Sequence, residues 1–344
     1  MRALVTGGGG FLGGAVVDAL LTRGDTVRSV ARGDYPSLRE RGVETLRGDL
    51  ADPGVATEAV RGVDVVVHVV ARAGIVGSDE AFRRSNVVAT LALLEACRTR
   101  GVGRFVFTST PSVVHSGGDI VRGDESLPYA TRFDSAYPRT KAEAERLVLD
   151  ANSPDLATVA LRPHLVWGPG DTQLVPRIID RARSGRLRFV GDGTAVIDTT
   201  YVDDAAAAHL DAIDALTPGA ACAGRPYFIT SGDPRPVREL INGILAAGGL
   251  GPEHRCVPLG LALGAGVAVE TVWRLLGRVI DPGEPPMTRF LARQLGTDHW
   301  FDISAARRDL GYAPRVPLDE GFARLAHALA GGKTAERDGE DHTR

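Results

Sequence analysis

Cysteine is scarce in this sequence of 344 residues, and the three that occur, Cys97, Cys222 and Cys256, lie far apart. A disulfide framework or a zinc site needs more cysteines or a close Cys-x-x-Cys pair, so the sequence predicts neither. The spacing favours three reduced thiols packed as small apolar side chains, and it gives no reason to expect a bound metal.

A strong net charge and long hydrophobic runs are also absent. The formal net charge is −3, so electrostatics gives no reason to expect nucleic acid or an acidic membrane as a partner. Arg2–Thr6 is strand-like and has no separate charged and apolar parts, so we expect no signal peptide and a cytoplasmic protein. The least charged stretch, Val257–Trp273, is shorter than the about 20 apolar residues of a spanning helix. We interpret it as a helix buried in the substrate region, with weak membrane-surface association as the alternative.

The first half of the chain does contain an alternation of short apolar runs and amphipathic stretches. The apolar runs are Ala3–Thr6, Thr26–Ala31, Val63–Val70, Arg104–Ser109 and Thr158–Leu161. The amphipathic stretches are Gly13–Arg23, Asn86–Arg100 and Ser135–Ala151. Short, β-branched runs of this kind are typical of strands buried on both faces of a parallel sheet. The alternation predicts an α/β fold, a Rossmann-type doubly wound parallel sheet with a smaller mixed α/β substrate region.

The rhythm of the sequence becomes irregular after about Pro163, and this change suggests how the chain is divided. We expect a dinucleotide-binding domain over residues 1–165 and a substrate-binding region over 166–330, with some elements interleaved between them. The last residues, 331–344, are polar and have nothing to bury, so they are predicted to form a disordered tail.

A glycine-rich loop follows the first predicted strand. Gly7, Gly10 and Gly13 give the pattern G-x-x-G-x-x-G, and the first helix opens within it. Glycines let the backbone approach a pyrophosphate closely, and a helix N-terminus supplies unpaired N–H groups. Such a loop alone would also suit an ordinary tight turn, but its position between strand and helix predicts a dinucleotide site.

The end of the second strand distinguishes the two nicotinamide cofactors. An NAD enzyme usually has Asp or Glu there to bind the ribose 2′-hydroxyl, whereas a 2′-phosphate is matched by Arg. This sequence has Ala31 followed by Arg32, with Arg28 nearby. NADP(H) is therefore favoured; the alternative is that Arg32 only caps a surface turn.

Tyr137 and Lys141 lie four residues apart at a predicted helix start. Residues with this spacing share a helix face, and Pro138 is tolerated only in a first turn. An ammonium near a phenol lowers the pKa of the phenol toward neutral pH, which suits acid/base catalysis. A hydroxyl-rich strand end, Thr108–Thr110, supplies further donors. A lone Tyr-x-x-x-Lys pattern often occurs by chance, but here it follows a phosphate loop and a hydroxyl-tipped strand.

Together these residues resemble the extended short-chain dehydrogenase/reductases over nearly the whole chain. The matching stretches are Gly7–Gly13, Gly48–Leu50, His68–Ala71, Asn86–Thr90, Tyr137–Lys141 and Arg162–Pro169. The resemblance implies that Tyr137 donates the proton and that Thr110 is the catalytic hydroxyl residue, with Ser109 as the fallback. Lys141 would bind the nicotinamide ribose and lower the tyrosine pKa. The implied cofactor-binding residues are Gly7, Gly10, Phe11, Leu12, Gly13, Arg32, Asp49, Leu50, Ala71, Tyr137, Lys141 and Pro163.

The second half is most similar to the 3β-hydroxysteroid dehydrogenase branch of this family. The similarity lies in Gly170–Pro176, Phe189–Gly193 and Tyr201–Asp204. Within that branch, Thr108–Val113 and Phe301–Ser304 resemble the bacterial 2-alkyl-3-oxoalkanoate reductases. That resemblance implies NADPH-dependent reduction of a hydrophobic β-keto acid to a β-hydroxy acid in long-chain olefin or β-lactone biosynthesis. Family habit also implies a homodimer through the helices around Asn86–Arg100 and Ser135–Ala151, and a pathway complex with condensing and β-lactone-forming enzymes.

Three alternative functions stay open on sequence grounds. A steroid or sterol 3β-dehydrogenase would use the same chemistry in a pocket shaped for fused rings. A nucleotide-sugar epimerase or reductase is disfavoured by Ala31 and Trp167, and a non-catalytic dinucleotide sensor by the presence of both Tyr137 and Lys141. His115 follows the catalytic strand and is interpreted as an incidental loop residue rather than a substrate contact.

Overall fold

The computed structural model describes residues 1–74, 77–276 and 288–340, and its core is a sheet of seven parallel strands. Fifteen strands are described: β1 (Arg2–Thr6), β2 (Thr26–Ala31), β3 (Glu44–Arg47), β4 (Val65–His68), β5 (Arg104–Thr108), β6 (Ile120–Gly123), β7 (Ala157–Pro163), β8 (Val166–Trp167), β9 (Phe189–Val190), β10 (Val196–Ile197), β11 (Thr200–Tyr201), β12 (Arg225–Ile229), β13 (Arg235–Pro236), β14 (Cys256–Val257) and β15 (His299–Phe301). The large sheet has the order β12-β7-β5-β4-β1-β2-β3. The predicted doubly wound α/β fold is therefore confirmed.

Thirteen α-helices surround the strands in the described residues: α1 (Phe11–Thr22), α2 (Pro36–Glu40), α3 (Pro53–Ala59), α4 (Asp79–Arg83), α5 (Ala89–Arg100), α6 (Ala136–Asp150), α7 (Leu174–Arg183), α8 (Val202–Ala215), α9 (Val237–Ala247), α10 (Leu259–Leu276), α11 (Arg289–Gly296), α12 (Ser304–Leu310) and α13 (Leu318–Glu340). Helices α1, α8 and α12 pack on one face of the large sheet, and α3, α5 and α6 on the other. Because both faces are covered, every residue of β4 and β7 is buried, which explains the continuous apolar runs.

The order of strands determines where ligands can bind. The chain runs outward from β1 to β2 and β3 on one side, and from β1 to β4, β5, β7 and β12 on the other. In open sheets of this kind, ligands occupy the crevice beyond the carboxyl ends of the strands, where the order reverses. The glycine loop follows β1, and the hydroxyl cluster follows β5, so both lie at this edge.

The two halves of the chain are interleaved. Strand β12, from the second half, completes the large sheet beside β7. Strand β6, from the first half, instead pairs with β15 in a second sheet of order β13-β10-β15-β6. The substrate-facing elements are thereby anchored to the cofactor-binding sheet.

Two segments differ from their sequence-based description. Helix α10 buries Ala262, but Leu261, Val267 and Val272 on it are exposed, so the prediction of a buried helix is correct for one face only. No helix in the described ranges is both long and apolar enough to cross a membrane. Helix α13 continues through Glu340, beyond the point where the sequence predicts a tail. Residues 341–344 lie outside the described part.

Candidate active site

The glycine loop is shaped so that two of its residues must lack a side chain. Gly7 has φ +72°, and a Cβ atom there would lie 3.0 Å from Val70 Cβ. A Cβ atom on Gly13 would lie 2.1 Å from the carbonyl oxygen of Gly7, which backbone packing cannot accommodate. Phe11 and Leu12 begin α1 directly behind this cradle. The loop therefore fits a pyrophosphate at a helix N-terminus.

Asp49 follows β3 at the same edge of the sheet, where the family resemblance places an adenine contact. Its Oδ1 accepts a hydrogen bond from the Ala51 amide at 3.0 Å, and Oδ2 pairs with Arg84 at 2.9 Å. These bonds lower the pKa of Asp49 and fix its carboxylate in orientation. Arg84 was not predicted from the sequence, because no local pattern marks it as the partner of a residue 35 positions earlier.

At the end of β2, the predicted Arg32 lies beside Arg47 and not beside Arg28. Arg28 is buried and its Nη1 donates to carbonyls at the end of α3, 2.9 Å from the Ala59 oxygen, so it serves packing and not a phosphate. Arg32 is exposed beyond the strand end. Arg47, which pairs in register with Ala31, donates from Nε to the Arg32 carbonyl at 3.1 Å. A cavity of about 200 Å³ opens beside Ala31 and Arg47.

Tyr137 and Thr110 come together as predicted. Tyr137 lies in the first turn of α6, with Pro138 behind it, and Thr110 follows β5. The Thr110 hydroxyl lies close enough to the Tyr137 phenol to act on its pKa, which it lowers. Ser109, the fallback, is buried and its Oγ makes no hydrogen bond to any described residue.

Lys141 lies one turn further along α6 and is wholly enclosed. Its Nζ donates to the Thr108 carbonyl at 2.5 Å and lies 4.0 Å from the centre of the Phe107 ring. Burial lowers the pKa of Lys141 to about 7, while the negative charge of Glu145 acts in the opposite direction. The lysine is therefore close to its titration point at neutral pH.

The pKa of Tyr137 moves against the direction that the sequence predicts. Burial of the phenol raises its pKa. The nearby Thr110 hydroxyl lowers the pKa, but by less than burial raises it. Removal of water from the phenolate outweighs the stabilising contacts. The phenol therefore remains protonated at neutral pH, the state that a proton donor requires.

Asn86, from the predicted structural motif, forms hydrogen bonds to two different elements of the site. It lies in a π-helical turn, Arg84–Val88, which is a feature often found at functional sites. Its amide nitrogen donates to Thr140 Oγ1 at 3.0 Å on the catalytic helix, and its oxygen accepts from the Arg72 amide at 2.7 Å after β4. The catalytic helix is thus held against the loop that follows β4.

A buried ion pair supports the catalytic helix from behind. Arg162, at the end of β7, donates to Glu145 from Nη2 at 2.6 Å and from Nε at 3.1 Å. Tyr129 donates its hydroxyl to the same carboxylate at 2.8 Å. From the sequence, Arg162 was noted only as part of a motif, and Glu145 was not predicted as its partner.

His68 is buried beneath the crevice and is held by two hydroxyls. Its Nδ1 lies 2.8 Å from Thr6 Oγ1, and its Nε2 lies 3.0 Å from Thr90 Oγ1. Burial lowers the pKa of His68 to about 3, so the ring is neutral. It fixes the ends of β1 and β4 against α5.

Three further histidines form a chain that leads away from the catalytic loop. The ring centres of His115 and His299 are 5.5 Å apart, and those of His299 and His164 are 5.0 Å apart. His164 Nδ1 is 2.7 Å from the buried carboxylate of Asp198. His115 is therefore not the isolated loop residue that the sequence suggests.

Trp167 is a core residue. It is buried, its Nε1 donates to Thr199 Oγ1 at 3.0 Å, and its ring packs edge-on against Tyr201. Trp167 therefore argues against a nucleotide-sugar function only through its packing in the core, and not through a contact with substrate.

Known proteins share this architecture and sequence. The model of the 3-beta hydroxysteroid dehydrogenase/isomerase family matches residues 4–259. A 2-alkyl-3-oxoalkanoate reductase of Stenotrophomonas maltophilia is 51% identical over 96% of this chain and 100% of its own length. One of Shewanella oneidensis is 43% identical over 95% and 86%. A UDP-glucose 4-epimerase of Thermus thermophilus in complex with NAD superposes with a TM-score of 0.70 at 27% identity, over 96% of this chain and 99% of its own.

Proposed function

Because this chain belongs to the 3-beta hydroxysteroid dehydrogenase/isomerase family, we propose that it reduces a 2-alkyl-3-oxoalkanoic acid with NADPH. The product would be the corresponding β-hydroxy acid, used in long-chain olefin or β-lactone biosynthesis. The chain is an oxidoreductase of the NAD(P)-dependent type, as its relatives are. The observation that carries the proposal is the placement of Tyr137, in the first turn of α6, beside Thr110 at the end of β5 and one turn before enclosed Lys141.

In the proposed reaction, Tyr137, Thr110 and Lys141 provide acid catalysis and position the substrate and the cofactor. The bound dihydronicotinamide would supply the hydride. Tyr137, kept protonated by its burial, donates its proton to the keto oxygen as charge develops there. Thr110 hydrogen-bonds the same oxygen, a preorganised donor where negative charge develops. Lys141, positioned by the Thr108 carbonyl, would hold the nicotinamide ribose with its remaining N–H donors.

A long-chain substrate would gain about 0.8 kcal/mol of binding free energy for each CH₂ group that it buries. A 2-alkyl-3-oxoalkanoate also carries a carboxylate that a neutral sterol ketone lacks. The two closely related reductases named for that substrate align over almost their full length, which favours the acid over a sterol.

Cofactor choice rests on the end of β2. Ala31 leaves out the acidic side chain that would repel a 2′-phosphate, Arg47 lines the cavity beside it, and exposed Arg32 follows directly at the strand end. Arg32→Ala is expected to raise the KM for NADPH about tenfold or more, the scale of one charge-assisted hydrogen bond, and to leave the KM for NADH nearly unchanged. A wild-type preference for NADH would contradict the assignment.

The main experiment follows NADPH oxidation with 2-alkyl-3-oxoalkanoic acids and, separately, with 3-oxosteroids. Tyr137→Phe is expected to lower kcat by about 10² to 10⁴, the usual contribution of general acid catalysis, with NADPH affinity maintained. Tyr227→Phe is the matched control, because that hydroxyl bonds Asp309 on the opposite side of the sheet. If Tyr137→Phe retains full activity, or if only steroids are reduced, the proposal is wrong.

A further inference from the structure

An arginine from a distant part of the chain forms an ion pair with a residue just before the catalytic helix. Arg293, on α11, donates from Nη1 to Asp134 Oδ2 at 2.6 Å. Asp134 precedes Tyr137 by three residues, a length of chain that spans at most about 11 Å. The same guanidinium covers Gly117, where a Cβ atom would lie 2.9 Å from Nη1. Arg293 therefore lies between the loop after Thr110 and the first turn of α6.

His115 lies in that loop and has an unused ring nitrogen. Its Nε2 is buried and makes no hydrogen bond to any described residue. Burial lowers the pKa of His115; the charges of His164 and Arg293 act in the same direction, and that of Asp134 acts in the opposite one. The His299 ring packs against it with ring centres 5.5 Å apart. A buried nitrogen without a partner is costly, so a ligand atom that satisfies it would be stabilised.

The substrate class of the proposed function places an anion in this region. In a β-keto acid, a single carbon atom separates the keto carbon from the carboxylate. When the keto oxygen contacts Tyr137 and Thr110, the carboxylate must therefore lie beside them. Lys141 is not assigned to it, because the proposed function gives the remaining donors of its Nζ to the nicotinamide ribose and the Thr108 carbonyl accepts one already. A guanidinium has five N–H donors, and the pair with Asp134 engages Nη1, so Arg293 can serve a second carboxylate.

We propose that Arg293 and His115 bind the substrate carboxylate and so select β-keto acids over neutral ketones. This inference rests on the proposed function and adds the residues that recognise the acid. Arg293 contributes a planar fork of donors. Burial disfavours the charged form of His115 in the free protein, and the substrate carboxylate, once bound beside Nε2, favours that form, so that Nε2 then donates to it. The resulting cluster pairs two cations, Arg293 and His115, with two anions, Asp134 and the substrate.

The test compares each acid substrate with its methyl ester, which keeps the ketone and the alkyl chains but loses the charge. Arg293→Met is expected to raise the KM for the acid about tenfold to a hundredfold, the range of a charge-assisted hydrogen bond, with the ester unaffected. Arg293→Lys should recover part of the loss. His115→Phe should give a smaller loss that is again specific for the acid.

Arg289→Met is the matched control, because Arg289 lies on the same helix and pairs with Glu270 instead. NADPH affinity, measured for every variant, reports whether the cofactor-binding fold is intact. Equal losses for acid and ester in Arg293→Met, or equal acid losses in Arg289→Met and Arg293→Met, would overturn the inference. A wild-type enzyme that reduces neither acid nor ester would instead refute the proposed function, so the two failures are distinguishable.

Discussion

Glu145→Gln removes one charge from a buried ion pair while almost preserving volume. The carboxylate is fully buried and accepts hydrogen bonds from two nitrogens of Arg162 and from the Tyr129 hydroxyl. An arginine stays charged at any working pH, so the variant leaves a buried guanidinium without its counter-charge. The change therefore tests whether this pair holds α6, the helix that carries Tyr137 and Lys141, against β7.

The expected cost follows from the degree of burial. Breaking a buried pair by removing one partner costs about 3–5 kcal/mol, because the remaining charge keeps its desolvation penalty. Glutamine retains an oxygen that accepts one hydrogen bond, so we expect a loss near the lower end, about 3 kcal/mol. Arg162 Nη1 already makes no hydrogen bond to any described residue, so a second protein acceptor is not at hand.

The free energy of unfolding is measured by urea denaturation of wild type, Glu145→Gln and Glu143→Gln. Glu143 is the matched control, because it lies on the same helix, is exposed, and pairs with Arg83 at 3.3 Å. An exposed pair contributes about 0–1 kcal/mol, so the control should stay close to wild type. If Glu145→Gln costs no more than Glu143→Gln, the ion pair does not stabilise the helix and the reasoning is refuted.

Two further predictions concern the cofactor half of the site. Since burial lowers the pKa of Lys141 to about 7, the ammonium is lost as pH rises through that value. The kcat/KM for NADPH should therefore fall above about pH 7, and an unchanged value up to about pH 9 would contradict the role of Lys141. Gly13→Ala should raise the Kd for NADPH at least about tenfold, because its Cβ would lie 2.1 Å from the Gly7 carbonyl oxygen. Gly14→Ala is the control for a fluorescence titration, since its Cβ meets only the Gly8 oxygen at an ordinary 3.5 Å; equal losses in both variants would refute the steric argument.

The parts that the sequence predicted well depend on local pattern. A strand followed by glycines and a helix has few other uses, and Tyr137 and Lys141 share a face of one helix wherever that helix packs. The second strand, Thr26–Ala31, is found with the predicted bounds. Strand β3 was not predicted, because Glu44–Arg47 has only four residues at the sheet edge and is partly exposed.

The misinterpretations come from side chains whose direction the sequence does not determine. Arg32 was the predicted phosphate residue, and Arg28 was noted as lying nearby. Residues four apart in a strand share a face, but β2 ends at Ala31, so Arg32 lies exposed beyond the strand, whereas Arg28 points back over the end of α3. Lys141 was expected to lower the pKa of Tyr137, but how far the fold removes water from a phenol is a tertiary property, and here it decides the sign.

Residues that contact each other across long stretches of chain were the least predictable, and the selectivity proposed above depends on them. Arg293 meets Asp134 over a separation of 159 residues, and His115 meets His299 only because β15 leaves the second half to pair with β6. No period or spacing in the sequence marks these partners. The local motifs carry the residues of the proposed hydride-transfer chemistry, whereas long-range contacts bring Arg293 to Asp134, three residues before Tyr137. Variation in substrate among relatives should therefore be sought in α11 and the loop after β5, where a change of charge leaves Tyr137 and Lys141 in place.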